Sequence, residues 1–332
     1  MLGVQVLSSP DAVRLLSAEW DALCDASGGA TPFQRPAWAV AWMDRMGVSE
    51  PRVVALRCGG DLVGLLPAFA WGSPSPRTIS LLGAGVSDHL DALAAPGFDD
   101  AVRDAIRGWL DGTRDRWDVC AFDELARGAL LRPLRAPDGV RAVAEAQSVC
   151  PVLKIREETE DVERVVPRAQ AAKLRKARRR LERLGGVALQ RADRGDFRGA
   201  LRTLQDLHSR RWARRGAPGV LGDERVMALH DDAAAAFARR GALRLYVLVV
   251  AGRPGAVVYG FREARRLHLY MQGIDPSFER ESPGLVAVGM AIADALREGV
   301  GEVDFLRGGE PYKYDWGAED EPNERLTLVR AG

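Results

Sequence analysis

Residues 243–306 read LRLYVLVVAGRPGAVVYGFREARRLHLYMQGIDPSFERESPGLVAVGMAIADALREGVGEVDFL. Three runs rich in branched and aromatic residues are separated by the turn-forming residues 252–255 and 263–265, which predicts a meander of strands. A helix from Pro283 to Glu298 follows, and a short strand over residues 303–306 comes after it. This succession of strands, helix and strand is the strongest architectural signal in the chain.

The start of that helix has the features of a phosphate-binding site. Ser282 can cap the helix, Pro283 suits its first turn, and Gly284 lets the backbone approach a ligand. Free N–H groups and the positive end of the helix dipole favour a phosphate there. An ordinary capped helix would use the same residues, so the position after three strands is what favours phosphate. The residues predicted to bind a phosphorylated cofactor are Tyr270, Gln272, Arg280, Ser282, Pro283, Gly284 and Leu285.

The segment DFLRGGEPYKYDWG, residues 304–317, holds three carboxylates, two tyrosines, one lysine, one tryptophan and three glycines. Such a density of titratable and aromatic groups after a short strand suggests a chemical site. Only four of the 47 basic residues are lysines, so Lys313 suggests a need for a compact ammonium rather than a planar guanidinium. A solvated loop with an aromatic plug is the alternative interpretation.

The length of 332 residues predicts two domains, which we place at 1–155 and 156–332. The net charge of +1 argues against a protein built for nucleic acid or anionic membrane. Residues 1–150 carry 14 arginines against 19 acidic residues (−5), whereas residues 151–332 carry 33 basic against 27 acidic residues (+6). A polyanionic ligand is therefore expected on the second half.

The four cysteines are far apart, without a CxxC pair or clustered histidines. This spacing predicts neither a disulfide framework nor a metal site, and it fits a reducing cytoplasm. The amino terminus shows no signal peptide, and no apolar run approaches the roughly 18–20 residues of a membrane span. We therefore expect a cytoplasmic protein.

The remaining elements indicate a mixed α/β (α+β) chain. In the first half we predict strands over residues 4–8, 78–83 and 117–122, a hairpin over residues 52–71, and helices over residues 9–25, from Pro36 and over residues 99–111. In the first of these helices, Leu15, Leu16, Trp20 and Leu23 share one side. In the second half, helices over residues 167–184, 196–215 and 223–240 precede the meander. Both halves share a coarse plan, which suggests a distant duplication.

Two further groups are candidates for substrate contact. Asp88, His89 and Asp91 form an acid–histidine cluster on a glycine-flanked loop that could act on a cationic acceptor. A capping aspartate with a surface histidine is the alternative. On one predicted helix, His208 lies three and four residues before Arg211 and Trp212, so the three could line a cleft. A structural histidine is the alternative there.

The helix KLRKARRRLERLG, residues 173–185, has seven basic residues and one acidic residue. It lacks interleaved aromatic residues, so it offers no platform for base stacking. A solvated helix with a buried leucine and alanine stripe explains it. Docking to RNA, or to a phosphate group of a cofactor, is the alternative.

The predicted succession of a strand, a phosphate-binding loop, a helix and a further strand resembles the core of the GNAT acyltransferase superfamily. The whole chain resembles the tandem-GNAT family related to cellulose-biosynthesis CelD-type acetyltransferases, and it is distantly similar to the Fem aminoacyltransferases. The resemblance is carried by TPFQRPAW (31–38), LVGLLP (62–67), SDHLD (87–91), LHSRRWARRGAPG (207–219) and, most specifically, residues 304–317. The chain departs from the usual GNAT phosphate loop because Pro283-Gly284 replaces its paired glycines.

The resemblance implies two tandem GNAT-like domains, each a mixed, mostly antiparallel sheet flanked by helices, with a degenerate first domain that shapes the substrate site. The second domain would bind acetyl-CoA or another acyl-CoA. The acyl group would pass directly to an amine or hydroxyl of a small-molecule, saccharide or peptide acceptor, because no cysteine or serine is placed as a covalent relay.

Acyl transfer needs a base for the nucleophile and an acid for the departing thiolate. Glu310 is the candidate base, Tyr312 or Tyr314 the candidate acid, and Lys313 a contact for substrate charge. Asp304 is expected to anchor the loop backbone. The candidate catalytic residues, including those outside this segment, are Asp88, His208, Glu310, Tyr312 and Lys313.

Two other functions remain open at this point. One is Fem-like transfer of an aminoacyl group from charged tRNA, which would use the basic helix. The other is a catalytically inactive GNAT fold that serves as a binding module.

Overall fold

The computed structural model describes residues 2–72, 76–214, 216 and 219–330. The chain divides into two compact units: unit 1 comprises the residues up to Val149 and those from Glu321 onward, and unit 2 comprises Cys150–Asp320. The boundary drawn from the sequence, at residue 155, left the carboxyl-terminal segment in the second domain. The structure assigns it to unit 1 because its residues 324–329 pair with a strand of that unit.

Unit 1 combines a sheet with four helices within the part that the structure describes. Its helices are α1 (Pro10–Leu15), α2 (Ser17–Ser27), α3 (Pro36–Arg45) and α4 (Asp99–Gly112). Its strands are β1 (Gly3–Leu7), β2 (Pro51–Cys58), β3 (Asp61–Trp71), β4 (Thr78–Leu81), β5 (Leu93–Ala94), β6 (Val119–Leu125), most of β7 (Val140–Lys154) and most of β13 (Glu319–Arg330). Short 3-10 turns cover Pro32–Gln34 and Arg114–Arg116.

The predicted helix over residues 9–25 is interrupted in the structure. It forms α1 and α2, which meet at Leu16. Leu16, Trp20 and Leu23 are buried as expected, but Leu15 is 86% exposed. The break changes the phase of the helix, so Leu15 no longer shares the apolar stripe.

Unit 2 contains the meander from which the fold was predicted. Its helices are α5 (Val162–Val165), α6 (Arg168–Glu182), α7 (Phe197–Ala213), α8 (Glu224–Arg239), α9 (Pro283–Arg297) and α10 (Pro311–Asp315). Its strands are β8 (Val187–Arg191), β9 (Leu243–Val250), β10 (Arg253–Glu263), β11 (Arg266–Ile274) and β12 (Glu302–Asp304), together with the end of β7. Short 3-10 turns cover Ala192–Arg194, Val220–Gly222 and Pro276–Glu281.

Both units use the same strand plan. Unit 1 runs β1-β2-β3-β4-β6-β13, and unit 2 runs β8-β9-β10-β11-β12-β7. Every pairing described in these two sheets is antiparallel except β4 with β6 and β11 with β12, which are parallel and occupy equivalent places. Mixed, mostly antiparallel sheets flanked by helices are therefore confirmed, and the shared order supports the suggested duplication.

Helix α9 is the most buried helix of unit 2. Ten of its residues are buried, and it packs in one apolar cluster with α6 and with strands β9, β10 and β11. A Cβ atom at Gly289 would lie 2.8 Å from two carbons of Leu174 and 3.3 Å from the Trp316 ring. This close approach fixes α6 and the end of α10 against α9.

A bulge in β11 controls which side chains face α9. The pairing with β10 skips Tyr270, since Tyr259 lies opposite Met271 and Gly260 lies opposite Leu269. The extra residue moves the following side chains to the opposite face. Gln272 and Ile274 consequently approach the start of α9.

No helix in the described part of the chain has the length and apolar character required to cross a bilayer.

Candidate functional site

A cleft of about 610 Å³ opens in unit 2 where α9 begins. The end of β11 forms one wall, and the first half of α6, the end of α7 and α10 surround the rest. The lining residues are Gln170, Lys173, Arg211, Arg214, Gln272, Ile274, Pro276, Glu279, Ser282, Pro283, Gly284, Leu285, Val288, Tyr312, Asp315 and Trp316. The cleft therefore contains Gln272, the residues 282–285 and Tyr312, all of which were singled out from the sequence.

Gly284 is required by the close packing of α9 on β11. A Cβ atom there would lie 2.6 Å from the Ile274 side chain and 2.7 Å from Nε2 of Gln272. The same Nε2 donates a hydrogen bond of 2.8 Å to the carbonyl oxygen of Gly284. The glycine thus lets β11 hold the first turn of α9 by a side-chain hydrogen bond.

Ser282 occupies the N-cap position but does not cap the helix. Its φ of 59° and ψ of 54° are left-handed, and its side chain accepts no N–H from the first turn. The expected capping by Ser282 is wrong, because an N-cap side chain reaches the first turn from extended backbone. Non-glycine residues held in this region are strained and cluster at functional sites.

The first turn of α9 consequently offers unused donors. Pro283 has no N–H, and the N–H groups of Gly284 and Leu285 have no acceptor in the part of the chain that the structure describes. Both residues line the cleft. Two converging N–H groups and the helix dipole make this end of the cleft attractive to an anion.

The charged side chains of the cleft are mostly paired. Lys173 Nζ lies 3.0 Å from Asp315 Oδ2, and Arg214 Nη1 lies 3.7 Å from Glu279 Oε2. Arg211 has no carboxylate partner among the described residues, although it lines the same cleft. Its guanidinium is therefore available to an anionic group of a ligand.

Tyr312 is the tyrosine of residues 304–317 that reaches the cleft. It is 46% exposed, and its partial burial together with the nearby Glu310 carboxylate raises its pKa to about 12. The phenol is thus protonated at neutral pH. Tyr314 does not line the cleft, and its hydroxyl donates a hydrogen bond of 2.8 Å to Asp320 Oδ1. The geometry favours Tyr312 over Tyr314 as the acid.

Lys313 holds the loop that precedes α10. Its side chain is buried, and Nζ donates to the carbonyl oxygens of residues 306, 307 and 308 over 2.9, 2.9 and 3.0 Å. Glu310 Oε2 lies 3.0 Å from the same Nζ. An ammonium has three protons, so these carbonyls use its donors. This placement contradicts the expectation that Lys313 contacts the substrate, and it gives Lys313 a structural role.

Asp304 anchors the same loop, as expected. Its carboxylate is fully buried and accepts a hydrogen bond of 2.8 Å from the N–H of Leu306. Leu306 has a φ of 56°, which residues other than glycine rarely adopt. Asp304 and Lys313 therefore hold a strained turn from both of its ends.

Glu310 lies next to the cleft rather than in its lining. Its side chain is 56% exposed and bends back over Gly308, whose Cβ position would lie 2.6 Å from Glu310 Oε2. The Glu310 carboxylate therefore lies close enough to raise the pKa of Tyr312, and it forms an ion pair with Lys313.

Two predicted cofactor-binding residues lie outside the cleft. Tyr270 packs against His230 and Tyr259, with ring centroids 5.5 and 5.9 Å apart. The bulge places Tyr270 on the side of β11 that faces α8, so Tyr270 does not share the cleft with Gln272 as expected. Arg280 is exposed and does not line the cleft either.

His208 lies behind the cleft wall. It is 9% exposed, and burial together with the nearby Arg211 lowers its pKa. Gly219 packs against its ring, because a Cβ atom there would lie 2.6 Å from the Trp212 ring and closer still to Cε1 of His208. Arg211 from the same predicted group does line the cleft, whereas His208 does not.

Asp88 belongs to unit 1, where it is buried. Its carbonyl oxygen accepts a hydrogen bond of 2.7 Å from Nδ2 of Asn323, which also donates to Glu124 Oε2 over 2.8 Å. Asp91 of the same loop accepts the N–H groups of Leu130 and Leu131. These bonds hold the Asp88 backbone and the Asp91 carboxylate in place within unit 1.

Several cleft residues were not selected as site residues from the sequence. They come from helices that are distant in the chain, and they are Gln170, Lys173, Arg211, Arg214, Glu279 and Asp315. Sequence signals existed for several of them, since Lys173 is one of the rare lysines, Arg211 lies in the predicted basic and aromatic group, and Asp315 lies in residues 304–317. Gln170 carried no signal at all.

The meander, the parallel β11–β12 pair and the helix between them define an acyltransferase fold of the GNAT type. Residues 168–314 match the family model described as "Acetyltransferase (GNAT) domain". Most of unit 2 is therefore similar to a GNAT domain, which confirms the GNAT resemblance predicted from the sequence. No curated protein matches the sequence.

Solved structures share the fold at low identity. FemX has a TM-score of 0.67 at 12% identity and covers 93% of this chain and 95% of its own. The C-terminal domain described for a lysylphosphatidylglycerol synthetase of Agrobacterium fabrum has a TM-score of 0.60 at 12% identity, with 96% and 92% covered. A tandem GNAT protein from the clavulanic acid biosynthesis pathway has a TM-score of 0.50 at 12% identity, with 100% and 99% covered.

Proposed function

We propose that the protein is an acyl-CoA-dependent acyltransferase that transfers an acyl group, such as acetyl, to an amine or hydroxyl. The observation that carries this proposal is the start of α9, where the N–H groups of Gly284 and Leu285 lack acceptors and border a cleft. Arg211 adds to that cleft a cation that pairs with no carboxylate of the described residues. Together they suit a pyrophosphate at a helix start.

The remainder of the cleft fits the rest of such a ligand. Its side walls include the apolar residues Ile274, Leu285, Val288 and Trp316. An extended thioester arm needs an apolar channel with few polar contacts, which these residues supply. The match of residues 168–314 to an acetyltransferase domain supports the same donor class.

In this proposal Tyr312 donates a proton to the departing thiolate. A phenol is protonated at neutral pH, and the pKa of Tyr312, raised to about 12, keeps it so. Glu310, which adjoins Tyr312, accepts the proton of the attacking amine or hydroxyl directly or through one water. Lys313 and Asp304 hold the loop that carries both groups.

A second candidate function is aminoacyl transfer from charged tRNA. One observation favours it: Lys176, Arg179 and Arg183 on the solvent face of α6 have no carboxylate partner in the described residues. Helix α6 also contributes Gln170 and Lys173 to the cleft. The name of the lysylphosphatidylglycerol synthetase indicates a lysyl product for that structural neighbour.

Calorimetric titration separates these candidates. We expect wild type to bind acetyl-CoA, and Gly284→Trp to abolish binding because an indole would displace Gln272 and Ile274. Failure of wild type to bind any acyl-CoA would contradict the proposal. Strong RNA binding that weakens steeply with salt, and with replacement of Arg179 and Arg183, would instead support the tRNA-dependent function.

A further inference from the structure

The cleft contains a buried side-chain oxygen that no described residue of the protein satisfies. Gln170 lies in the first turn of α6, is 3% exposed and lines the cleft. Its Oε1 is buried and has no hydrogen-bond partner among the described residues. Buried polar atoms in proteins are nearly always paired, so each exception requires an explanation.

The position does not require a polar residue for folding. Gln170 shares the buried face of α6 with Ala171, Leu174, Ala177 and Leu181, which pack in the core. An apolar side chain would fill this site without leaving an unpaired oxygen. The carboxamide is therefore expected to meet a partner that arrives with a ligand.

The chemistry of the neighbours limits what that partner is. Anions have other sites in this cleft, namely the start of α9 and the Arg211 guanidinium, and an amide oxygen repels them. The ammonium of Lys173, one turn further along α6, is paired with Asp315. A neutral N–H donor beside the apolar wall of Leu285 and Val288 satisfies Oε1 without burying a charge.

We infer that Gln170 binds a secondary amide of the ligand, with Oε1 accepting the amide N–H. This inference rests on the proposed function and names Gln170 as a specificity-determining residue of that site. A secondary amide has two sources here: the pantetheine arm of an acyl-CoA, or a peptide-like acceptor. Gln170 would then select amide-bearing ligands over ligands that offer only phosphates or sugars.

The test uses Gln170→Met, which keeps the volume and removes the polar atoms, with Gln190→Met on the exposed surface of β8 as the matched control. Binding of acetyl-CoA and of adenosine 3′,5′-bisphosphate, which lacks the amides, is measured by calorimetry. Transfer to glycylglycine and to ethanolamine is measured in parallel. All experiments use the full chain.

If Gln170 binds an amide of the pantetheine arm, Gln170→Met weakens acetyl-CoA binding by about 10-fold and leaves the affinity for adenosine 3′,5′-bisphosphate unchanged. For an acceptor amide, acetyl-CoA binding is unchanged, and transfer to glycylglycine falls by about 10-fold relative to ethanolamine. Equal binding and equal transfer by Gln170→Met and wild type would overturn the inference.

The free protein supplies a readout that does not depend on acyl-CoA. Because the substitution removes an unpaired buried oxygen, Gln170→Met should raise the melting temperature of the ligand-free protein, whereas Gln190→Met should not. A lower melting temperature would show that Gln170 has a partner within the protein, and the inference would fail. Absence of acetyl-CoA binding by wild type would instead count against the proposed function.

Discussion

Nε2 of Gln272, near the end of β11, donates a hydrogen bond of 2.8 Å to the carbonyl oxygen of Gly284 in the first turn of α9. This bond exists because the bulge at Tyr270 turns Gln272 toward α9 and because Gly284 has no side chain in the way. The strand thus positions the helix start whose free N–H groups border the cleft. A change at either residue should alter ligand binding.

Gly284→Ala is expected to weaken acetyl-CoA binding by about 10-fold and to destabilise the fold by about 1–3 kcal/mol, because the new methyl would overlap Gln272 and Ile274. Calorimetry and urea unfolding measure the two effects. Gly108→Ala in α4 is the matched control, since nothing lies within 4 Å of its Cβ position. Unchanged affinity in Gly284→Ala would show that the helix start does not bind the ligand.

Tyr312→Phe is expected to lower kcat by about 100-fold with little change in KM, because it removes the proposed proton donor. Tyr314→Phe removes a hydroxyl bonded to Asp320 outside the cleft, and it should change kcat less than twofold or so. Steady-state kinetics compare the two variants. Equal losses would reject the choice of Tyr312 over Tyr314.

Glu310→Gln is expected to lower kcat by about 100-fold with little change in KM, because the amide cannot accept a proton. Circular dichroism should show an intact fold. Glu319→Gln, an exposed acidic residue of unit 2, is the control and should keep the wild-type kcat. Wild-type turnover by Glu310→Gln would assign the base to another residue.

Lys313→Met is expected to destabilise the protein by about 2–4 kcal/mol, because three carbonyl oxygens and the Glu310 carboxylate lose their donor. Lys176→Met on the exposed face of α6 should change stability by less than about 0.5 kcal/mol. Urea unfolding measures both. If Lys313→Met kept its stability and lost only activity, Lys313 would be a substrate contact after all.

Asp91 should make the stability of unit 1 depend on pH. Burial raises its pKa to about 7 although the N–H groups of Leu130 and Leu131 oppose the shift. The folded state therefore holds this proton from about pH 4 to pH 7 while the unfolded chain has lost it, so stability falls as pH rises through that window.

The free energy of unfolding is expected to fall by on the order of 1 kcal/mol per pH unit in this window, and this dependence disappears in Asp91→Asn. The free energies of unfolding of wild type and Asp91→Asn are compared at pH 5 and at pH 7. The comparison is needed because carboxylates with a lowered pKa, such as Glu298, make stability rise with pH at lower pH values. A difference that does not change with pH would contradict the prediction.

Local patterns along the chain were sufficient for much of the fold. The spacing of apolar residues and the turn residues predicted the meander, helices α6 to α9 and a short strand after them, but not that this strand pairs in parallel. Local patterns also located the start of α9 and residues 304–317, which contain Tyr312. These features depend on residues that are close together along the chain, so the local sequence pattern is enough to predict them.

Strand β13 is an example of what local patterns could not predict. It pairs with β6, about 200 residues earlier in the chain, and no local signal specifies that partner. The domain boundary therefore needed the tertiary structure.

The directions and roles of individual site residues were likewise decided by tertiary contacts. Tyr270 and Gln272 look equivalent by alternation, but one bulged residue turns them to opposite faces of β11. Lys313 was expected to contact charge on the substrate, but its ammonium holds three carbonyl oxygens of its own loop. The sequence by itself determined the main helices and strands of unit 2 and pointed to two segments of the cleft, the start of α9 and residues 304–317, because such segments follow local propensity. Only the tertiary structure decided which side chains enter the cleft, because a single shift in register or one distant partner redirects a side chain without changing the local pattern.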